Sequence, residues 1–288
     1  MKGLKIVVLA KQVPDTRNVG KDAMKADGTV NRAALPAIFN PEDLNALEQA
    51  LRIKDKIEGT TVHILTMGPG RAAEIIREAM YRGADGGYLL SDRAFAGSDT
   101  LATSYALACA LRNLQTDLLI CGRQAIDGDT AQVGPQVAEK LGLPQVTYAE
   151  DILDITSGKI TIKRRLEREV VECPVPCVVT VNGSAAPCRP RNARYVMKYK
   201  YARATQEMQD ADEDYLNLLQ ERPYLKITEW SVNDITCEAQ ELGLSGSPTK
   251  VKNIESVVFQ AKEAKVLEPS DTAIDEMMKE LIVNHTVG

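Results

Sequence analysis

Histidine is nearly absent from this sequence, and its cysteines are not spaced like metal ligands. His63 and His285 are the only two histidines among 288 residues, which argues against a histidine-based metal site or catalytic triad. The six cysteines include no Cys-x-x-Cys pair, the spacing typical of zinc and iron–sulfur sites. We therefore expect no metal centre, and we expect reduced, mostly buried thiols.

Long apolar runs and an excess of positive charge are also lacking. No stretch is long enough to cross a bilayer, and no signal-peptide pattern follows Met1. The formal net charge of −5 argues against general binding to nucleic acid. These absences predict a cytoplasmic protein with no membrane insertion and no nucleic-acid partner.

Strand and helix patterns alternate regularly from residue 4 to about residue 148. Leu4–Ala10 is a β-branched apolar run typical of a buried strand, and Asn40 and Pro41 are favourable first residues for the following helix. Further strands are predicted at 60–67, 87–91, 117–122 and 146–148, and further helices at 72–82, 99–114 and 136–141. This alternation predicts the α/β class, with a doubly wound, mostly parallel sheet of the Rossmann-like, adenine-nucleotide-binding type.

The pattern changes after residue 148. Gly158–Lys163 and Arg168–Val171 predict a small antiparallel extension, and Asp271–Val283 predicts an amphipathic helix. Residues 227–268 carry apolar side chains without a helical period, so we expect them to pack on another chain. We accordingly divide the chain into a nucleotide- or flavin-binding α/β domain, residues 1–200, and a C-terminal arm and helix for subunit contact, residues 201–288.

The segment Cys121–Gly134 is the strongest indication of a ligand site. It follows the predicted strand 117–122, precedes a predicted helix and consists mainly of small and polar residues. Open parallel sheets bind ligands at the carboxyl ends of their strands, and free N–H groups at a helix N-terminus suit a phosphate. We expect the N–H groups from Thr130 to Gly134 to hold phosphate. An ordinary strand-to-helix loop with capping residues is the alternative.

A second glycine-containing segment supports a competing hypothesis. Gly68–Ala73 fits the G-x-G-x-x-A form of the dinucleotide fingerprint, with Asp92 near the expected acidic position, as in a NAD-dependent dehydrogenase. Pro69 weakens this hypothesis because it removes a backbone donor where a pyrophosphate needs one. The segment also follows the second predicted strand rather than the first, and no obvious acid–base pair accompanies it.

Several segments carry a family resemblance. Gly-Arg-Gln-Ala-Ile-Asp-Gly-Asp-Thr-Ala-Gln-Val-Gly-Pro, residues 122–135, closely resembles the signature region of electron-transfer flavoprotein beta subunits. Residues 6–15, Asn40–Asp43, Thr66–Pro69 and Cys177–Val181 resemble the same family, in the same order. Asp92–Ser104 resembles the form found in electron-bifurcating members. That resemblance implies FAD as the cofactor, in place of the AMP that housekeeping members hold.

The resemblance also implies a function and partners. It implies a heterodimer with an alpha subunit that carries a second FAD, and it implies NADH as the electron donor that reduces the FAD of the beta subunit. One electron would pass to ferredoxin or flavodoxin, and the other, through the alpha-subunit FAD, to an acyl-CoA dehydrogenase or quinone reductase. No catalytic side chain is required, because a flavin itself accepts a hydride and releases single electrons. The alternatives are a non-bifurcating beta subunit that holds AMP and a stand-alone nucleotide-binding α/β domain.

The predicted cofactor-binding residues lie in the glycine-containing loop, at the helix start near residue 99 and at the ends of neighbouring elements. They are Ala10, Asn40, Met67, Asp99, Thr100, Thr103, Gly122, Arg123, Gln124, Asp127, Gly128, Thr130, Ala131, Gln132, Val133 and Gly134. A salt-bridged surface arginine is the simpler interpretation of Arg123, and a helix cap that of Asp99.

The basic stretch Arg189–Lys200 resembles, in position, the loop by which the family's beta subunits anchor partner dehydrogenases. The predicted partner-binding residues are Arg191, Ala193, Tyr195 and Met197. The sequence departs here from the Leu-Pro-Asn-Ile-Met-Lys context of mitochondrial-type members, which leaves the identity of the partner open.

Overall fold

The computed structural model describes residues 3–15, 36–156, 158–166, 169–208, 213–249 and 266–283, in which eleven strands and seven helices form. In chain order these elements are β1 (Lys5–Leu9), β2 (Gln12–Pro14), β3 (Ala37–Phe39), α1 (Pro41–Lys56), β4 (Thr61–Met67), α2 (Ala73–Met80), β5 (Gly86–Leu90), α3 (Thr100–Arg112), β6 (Leu118–Gly122), α4 (Val133–Leu141), β7 (Gln145–Thr156), β8 (Lys159–Arg164), β9 (Val170–Pro174), β10 (Cys177–Val181), α5 (Ala193–Tyr199), α6 (Glu213–Glu221), β11 (Thr228–Trp230) and α7 (Asp271–Val283).

Nine strands form one sheet in the order β11-β5-β4-β1-β6-β10-β7-β8-β9. The strands from β11 to β7 in this order are parallel to their neighbours. β8 and β9 extend the sheet as an antiparallel hairpin, and β2 and β3 pair as a separate antiparallel ribbon. The predicted parallel sheet and its antiparallel extension are thereby confirmed.

Helices cover both faces of the sheet, because successive residues of a buried strand point to opposite sides. On β1, Ile6 and Val8 join one hydrophobic core with residues of α1 and α2, and Val7 and Leu9 join a second core with residues of α3 and α4. Leu47 of α1 is fully buried in the first core. Burial of a side chain of this size contributes about 1.5–3 kcal/mol. The doubly wound α/β class is therefore confirmed.

The direction of strand addition reverses at β1, and this reversal positions the site. The chain passes from β1 through α1 to β4 on one side of β1, and from β5 through α3 to β6 on its other side. In open α/β sheets a crevice forms at the carboxyl ends of the strands at such a switch point. Here the crevice lies between the segments that follow β1 and β6.

The described part of the stretch that begins at residue 227 packs on its own chain. β11 pairs in parallel with β5, and Ile227, Ile235 and Leu242 are buried in the two cores. This differs from the expectation of packing on another chain. Short strands and single turns bury isolated side chains, which leave no periodic pattern in the sequence. Residues 250–265 lie outside the described residues, and the division of the chain near residue 200 stays a prediction.

Other element boundaries differ more modestly from the sequence predictions. β7 continues to Thr156, and α4 begins at Val133, ahead of the predicted start at residue 136. The helix α5 was not expected from its basic and aromatic sequence; Asn192 caps it by accepting a hydrogen bond from the N–H of Arg194. The predicted helix at Asp271–Val283 is present as α7 and buries none of its side chains.

Candidate functional site at the switch point of the sheet

A cavity of about 400 Å³ opens at the carboxyl ends of β1, β4 and β6. Its volume is in the range typical of small-molecule sites, and its position is the switch point of the sheet. The loop 122–134 forms one side of the cavity, and residues 97–103, around the start of α3, form another. Apolar side chains complete the wall, among them Leu9, Leu65, Phe95 and Leu107.

Most of the predicted cofactor-binding residues meet in this cavity. Only Asn40 and Asp127 among them do not line it; those that do are Ala10, Met67, Asp99, Thr100, Thr103, Gly122, Arg123, Gln124, Gly128, Thr130, Ala131, Gln132, Val133 and Gly134. The hydroxyl of Thr100 donates a hydrogen bond of 2.8 Å to the side-chain oxygen of Gln132. This bond connects the two sides of the cavity directly.

The backbone of the loop 122–134 is arranged to expose donors. Asp129 and Ala131 have left-handed φ angles of 50° and 52°, which are uncommon for residues other than glycine. Turns of this kind can direct neighbouring N–H groups to one side, as in anion-binding nests. The N–H groups of Thr130, Ala131 and Gln132 donate no hydrogen bond to any residue that the structure describes. These donors lie beside the positive end of α4, so the loop fits a phosphate.

Asn40 and Asp127 support the loop from outside the cavity. The fully buried Asn40 donates from Nδ2 to the carbonyl oxygen of Gln124 at 2.9 Å and accepts from the N–H of Ile126 at 3.2 Å. Asn40 stands at the N-cap position of α1, as expected, but its side chain makes no helix-capping hydrogen bond. Asp127 forms an ion pair of 2.8 Å with Lys11, the residue that follows the end of β1 by two positions.

Asp43, in the first turn of α1, connects the ends of β1 and β6 beneath the cavity. Its Oδ2 accepts a hydrogen bond of 2.9 Å from the N–H of Lys11, and its Oδ1 accepts one of 3.0 Å from the N–H of Gly122. The side chain is almost completely buried. Burial raises the pKa of Asp43 to about 7, against the lowering effect of these N–H groups and of Asn40. Asp43 therefore changes its charge near neutral pH.

The guanidinium of Arg123 is held by its own chain at the edge of the cavity. Its Nη2 lies 3.0 Å from Oε1 of Glu42, and its Cζ lies 5.6 Å from the ring centroid of Tyr148. The hydrogen bond to Glu42 raises the pKa of Arg123, so the group is always charged. The second carboxylate oxygen of Glu42 accepts from the N–H of Gln124 at 3.0 Å. Arg123 thus forms a salt bridge within its own chain, as expected from its interpretation as a salt-bridged surface arginine.

Two glycines near the loop are required by protein packing. A Cβ at Gly134 would lie 2.8 Å from both Sγ of Cys121 and Cγ2 of Thr180, and a Cβ at Gly122 would lie 2.8 Å from the backbone N of Asp43. Real Cβ atoms are not found so close to other heavy atoms, so only glycine lets the loop and the helices approach the strands here. Gly134 is thus needed for packing behind the loop.

Asp99 begins α3 as an ionised helix cap. Its Oδ1 accepts hydrogen bonds from the N–H groups of Leu101 at 2.9 Å and Ala102 at 3.1 Å. Burial raises the pKa of this carboxyl, but the N–H groups of Ala102, Thr249 and Leu101 outweigh it and lower the pKa. The capping role expected of Asp99 is present, and Thr103 lines the cavity one turn further along the helix.

The competing fingerprint at Gly68–Ala73 is covered by protein atoms. A Cβ at Gly70 would lie 2.7 Å from the side-chain oxygen of Gln206. Gln206 is itself anchored, because its Nε2 donates to Ser91 Oγ at 2.9 Å and its backbone N donates to Glu229 at 2.9 Å. A ligand that approached Gly70 from this side would have to displace Gln206, which weakens the dehydrogenase hypothesis.

The predicted partner-binding residues lie on α5 and just before it. Ala193, Tyr195 and Met197 are exposed on the helix, with 65% of the Met197 surface accessible. Arg191 forms an ion pair of 2.6 Å with Glu78 of α2 and so fixes the chain as it enters α5. An exposed methionine and tyrosine next to basic side chains are typical of a protein-binding surface.

Comparison with known proteins identifies the family. Residues 27–207 match the model of the electron transfer flavoprotein domain. The electron transfer flavoprotein subunit beta of Megasphaera elsdenii is 40% identical over 297 aligned positions, which cover 99% of this chain and 100% of that protein. The chain belongs to the family of electron transfer flavoprotein beta subunits. The family resemblance seen in the sequence is thereby confirmed.

Two further relatives of this electron transfer flavoprotein subunit have names that mention coenzyme A substrates. The caffeyl-CoA reductase-Etf complex subunit CarD of Acetobacterium woodii is 43% identical, over 86% of each chain. The acryloyl-CoA reductase electron transfer subunit gamma of Anaerotignum propionicum is 50% identical, over 62% of this chain and 67% of that protein.

The sequence prediction of the site missed Lys11, Glu42 and Asp43. Acidic residues in the first turn of a helix are explained equally well by the helix dipole, so nothing in the local sequence indicates that Glu42 and Asp43 reach the loop. Within the described ranges no helix is long and apolar enough to cross a membrane. The same ranges contain no cluster of His, Cys, Asp and Glu that could hold a metal ion.

Proposed function

We propose that this electron transfer flavoprotein subunit binds FAD in the cavity between residues 122–134 and 97–103, where the FAD is reduced by NADH. The subunit acts in the cytoplasm as one half of a bifurcating heterodimer with an alpha subunit. One electron leaves for ferredoxin or flavodoxin, and the other passes through the alpha-subunit FAD to an acyl-CoA dehydrogenase or quinone reductase. AMP in place of FAD is the alternative.

The observation that carries this proposal is that two distinct segments line one cavity. The loop 122–134 alone offers enough N–H donors for the phosphate of AMP. The opposing segment adds the hydroxyls of Thr100 and Thr103 and the bare backbone of Gly97. The ribityl chain and ring of FAD would contact these groups, whereas AMP has no corresponding part.

The residues present fit the adenosine diphosphate part of FAD. The N–H groups of Thr130, Ala131 and Gln132 would hold phosphate oxygens at the positive end of α4, and Ala10 and Met67 would border the adenosine. A bound flavin supplies the capacity to accept two electrons together and release them singly. The apolar side chains that complete the wall would lie beside the flavin in that part of the cavity.

The partners of the subunit are proposed from its relatives and from its exposed surface. The names of the caffeyl-CoA and acryloyl-CoA reductase relatives favour an oxidoreductase that acts on acyl-CoA compounds as the high-potential partner. The exposed face of α5, with Ala193, Tyr195 and Met197, is the proposed surface for this partner, and Arg191 holds α5 against α2.

The test is to purify the heterodimer with its alpha subunit, identify the bound nucleotides and titrate the protein with NADH in the absence of oxygen. We expect one FAD from each subunit and bleaching of the flavin absorbance by NADH. A preparation that holds AMP in place of the second FAD and is not reduced by NADH would establish the alternative.

Two threonine variants test whether the flavin that NADH reduces is bound in this cavity. Thr100→Val removes a hydroxyl from the cavity and should weaken reduction by NADH while the alpha-subunit FAD stays bound. Thr116→Val is the matched control, because Thr116 precedes β6 at the opposite end of the sheet and its hydroxyl has no hydrogen-bond partner among the described residues. Equal effects of the two substitutions would contradict the assignment.

A further inference from the structure

The cavity wall at residues 94–99 is held by a segment that is remote in sequence. Residues 243–249, which we call the clasp, pack across it. The side chain of Leu244 covers Gly97: a Cβ at Gly97 would lie 2.6 Å from Cγ of Leu244. Gly97 also has a φ of 75°, so both its conformation and its contact with the clasp require glycine. Gly97 itself lines the cavity, and one layer of backbone therefore separates the clasp from the ligand space.

Ser247 makes the central polar contacts of the clasp. Its side chain is nearly inaccessible, with 3% of the residue exposed. Its Oγ accepts a hydrogen bond of 2.9 Å from the N–H of Asp99 and donates one of 2.6 Å to the carbonyl oxygen of Gly243. The N–H of Thr249 donates to Oδ2 of Asp99 at 3.0 Å. The clasp thus fixes both the backbone and the side chain of Asp99, the N-cap residue of α3.

The other side of the cavity is anchored independently of the clasp. Asn40 and Asp43 hold the loop 122–134 from the side of α1 through hydrogen bonds to Gln124, Ile126 and Gly122. Of the contacts described for Ser247, none reaches that loop. A change at Ser247 should consequently disturb mainly the side formed by residues 97–103, which contacts the loop through the hydrogen bond from Thr100 to Gln132.

We propose that Ser247 is a positioning residue for the flavin ring. It fixes the backbone from Gly97 to Asp99 and thereby the hydroxyls of Thr100 and Thr103, without lining the cavity itself. Without the Ser247 hydroxyl the N–H of Asp99 loses its acceptor, and the segment relaxes to recover a hydrogen bond. This role rests on the proposed binding of FAD with its ring on this side and its phosphates at the loop 122–134.

The test compares FAD with ADP, which shares the adenosine diphosphate part but has no flavin ring. In titrations of the full chain, Ser247→Ala should raise the Kd for FAD about tenfold and leave the Kd for ADP nearly unchanged. The visible circular dichroism of the bound flavin should change as well, because the ring loses its fixed orientation. General loss of folding would weaken the binding of FAD and ADP equally and would not produce a difference between the two Kd values.

Two further variants keep the test decisive. Leu244→Ala truncates a residue that is 62% exposed, so it should leave the fold intact. It should still weaken the binding of FAD more than the binding of ADP. Ser184→Ala is the matched control, because the Ser184 hydroxyl donates to Glu150 at 2.8 Å and does not line the cavity; it should change neither Kd.

The outcomes separate the two levels of the proposal. Suppose that the unmodified chain binds FAD more tightly than ADP, but that Ser247→Ala and Leu244→Ala weaken the binding of both ligands equally or of neither. The positioning role of Ser247 is then overturned, and the flavin site stands. If the unmodified chain binds ADP and FAD with the same affinity, the flavin ring has no site here. The proposed function and the role of Ser247 are then both overturned.

Discussion

The buried carboxyl of Asp43 should make the stability of this protein depend on pH in an unusual direction. Most carboxylates in folded proteins have lowered pKa values, so stability is lost as the pH falls. Burial instead raises the pKa of Asp43 from its ordinary value of 3.8 to about 7. Between these two values the folded chain binds the proton more tightly than the unfolded chain does. The free energy of unfolding should therefore decrease as the pH rises through this range.

The magnitude follows from the difference between the two pKa values. At 1.36 kcal/mol per pH unit, the complete effect is about 4 kcal/mol. The neutral carboxyl supplies this contribution in full below about pH 4, and the contribution is lost as the pH rises through about 7. Roughly 2 kcal/mol of it should disappear between about pH 5 and about pH 7. Because burial is the main cause, salt should screen the effect little.

The assay is urea unfolding of the unmodified chain and of Asp43→Asn at several pH values from about 5 to about 8. Asparagine cannot ionise, so the stability difference between the two proteins isolates the titration of Asp43. The substitution also leaves one of the two N–H groups, of Lys11 or Gly122, without a carboxylate acceptor; this cost of about 1–3 kcal/mol does not vary with pH. A difference that stays constant from pH 5 to 8, or that favours the unmodified chain more at high pH, would refute the reasoning.

Two further predictions concern the edges of the cavity. Gly134→Val should lower the free energy of unfolding by about 1–3 kcal/mol, because the new side chain collides with Cys121 behind the loop. Urea unfolding of the chain without nucleotide measures this decrease. A decrease in stability that is seen only with nucleotide bound would contradict the packing explanation. Asp99→Ala should cost about 1 kcal/mol through the lost helix cap. It should also speed hydrogen exchange at the N–H groups of Ala102 and Thr249, and unchanged exchange at Thr249 would show that the clasp does not depend on Asp99.

The elements that repeat a local pattern could be predicted from the sequence. Alternating β-branched runs and helical periods place β1, β4 and β6 within one or two residues of their positions in the structure, and the strand–helix alternation predicts a doubly wound, mostly parallel sheet. The loop 122–134 could also be predicted as a candidate ligand site, because its composition and its place after a buried strand are both local properties. The family resemblance implied a cofactor for this loop but none of the contacts between its residues.

What the sequence could not supply are the contacts between distant residues. Asp43 reaches Gly122 across 79 positions, and Ser247 reaches Asp99 across 148. Neither residue type is unusual where it stands: an aspartate in a first helical turn and a serine in a loop are both common on local grounds alone. β11 was missed for a similar reason, since three residues at a sheet edge are too few to carry a period.

The clasp also imposes an order on the assembly of the molecule. Protein synthesis proceeds from the N-terminus, and contacts that span many residues must wait until the later partner has been made. The loop 122–134 and its anchors at Asn40 and Asp43 can come together while the remainder of the chain is still being translated. Asp99 waits for Thr249, a residue added 150 positions later. If the cofactor is FAD, as proposed, a nascent chain could hold its nucleotide end before it could hold the ring, because the clasp is needed only on the side formed by residues 97–103.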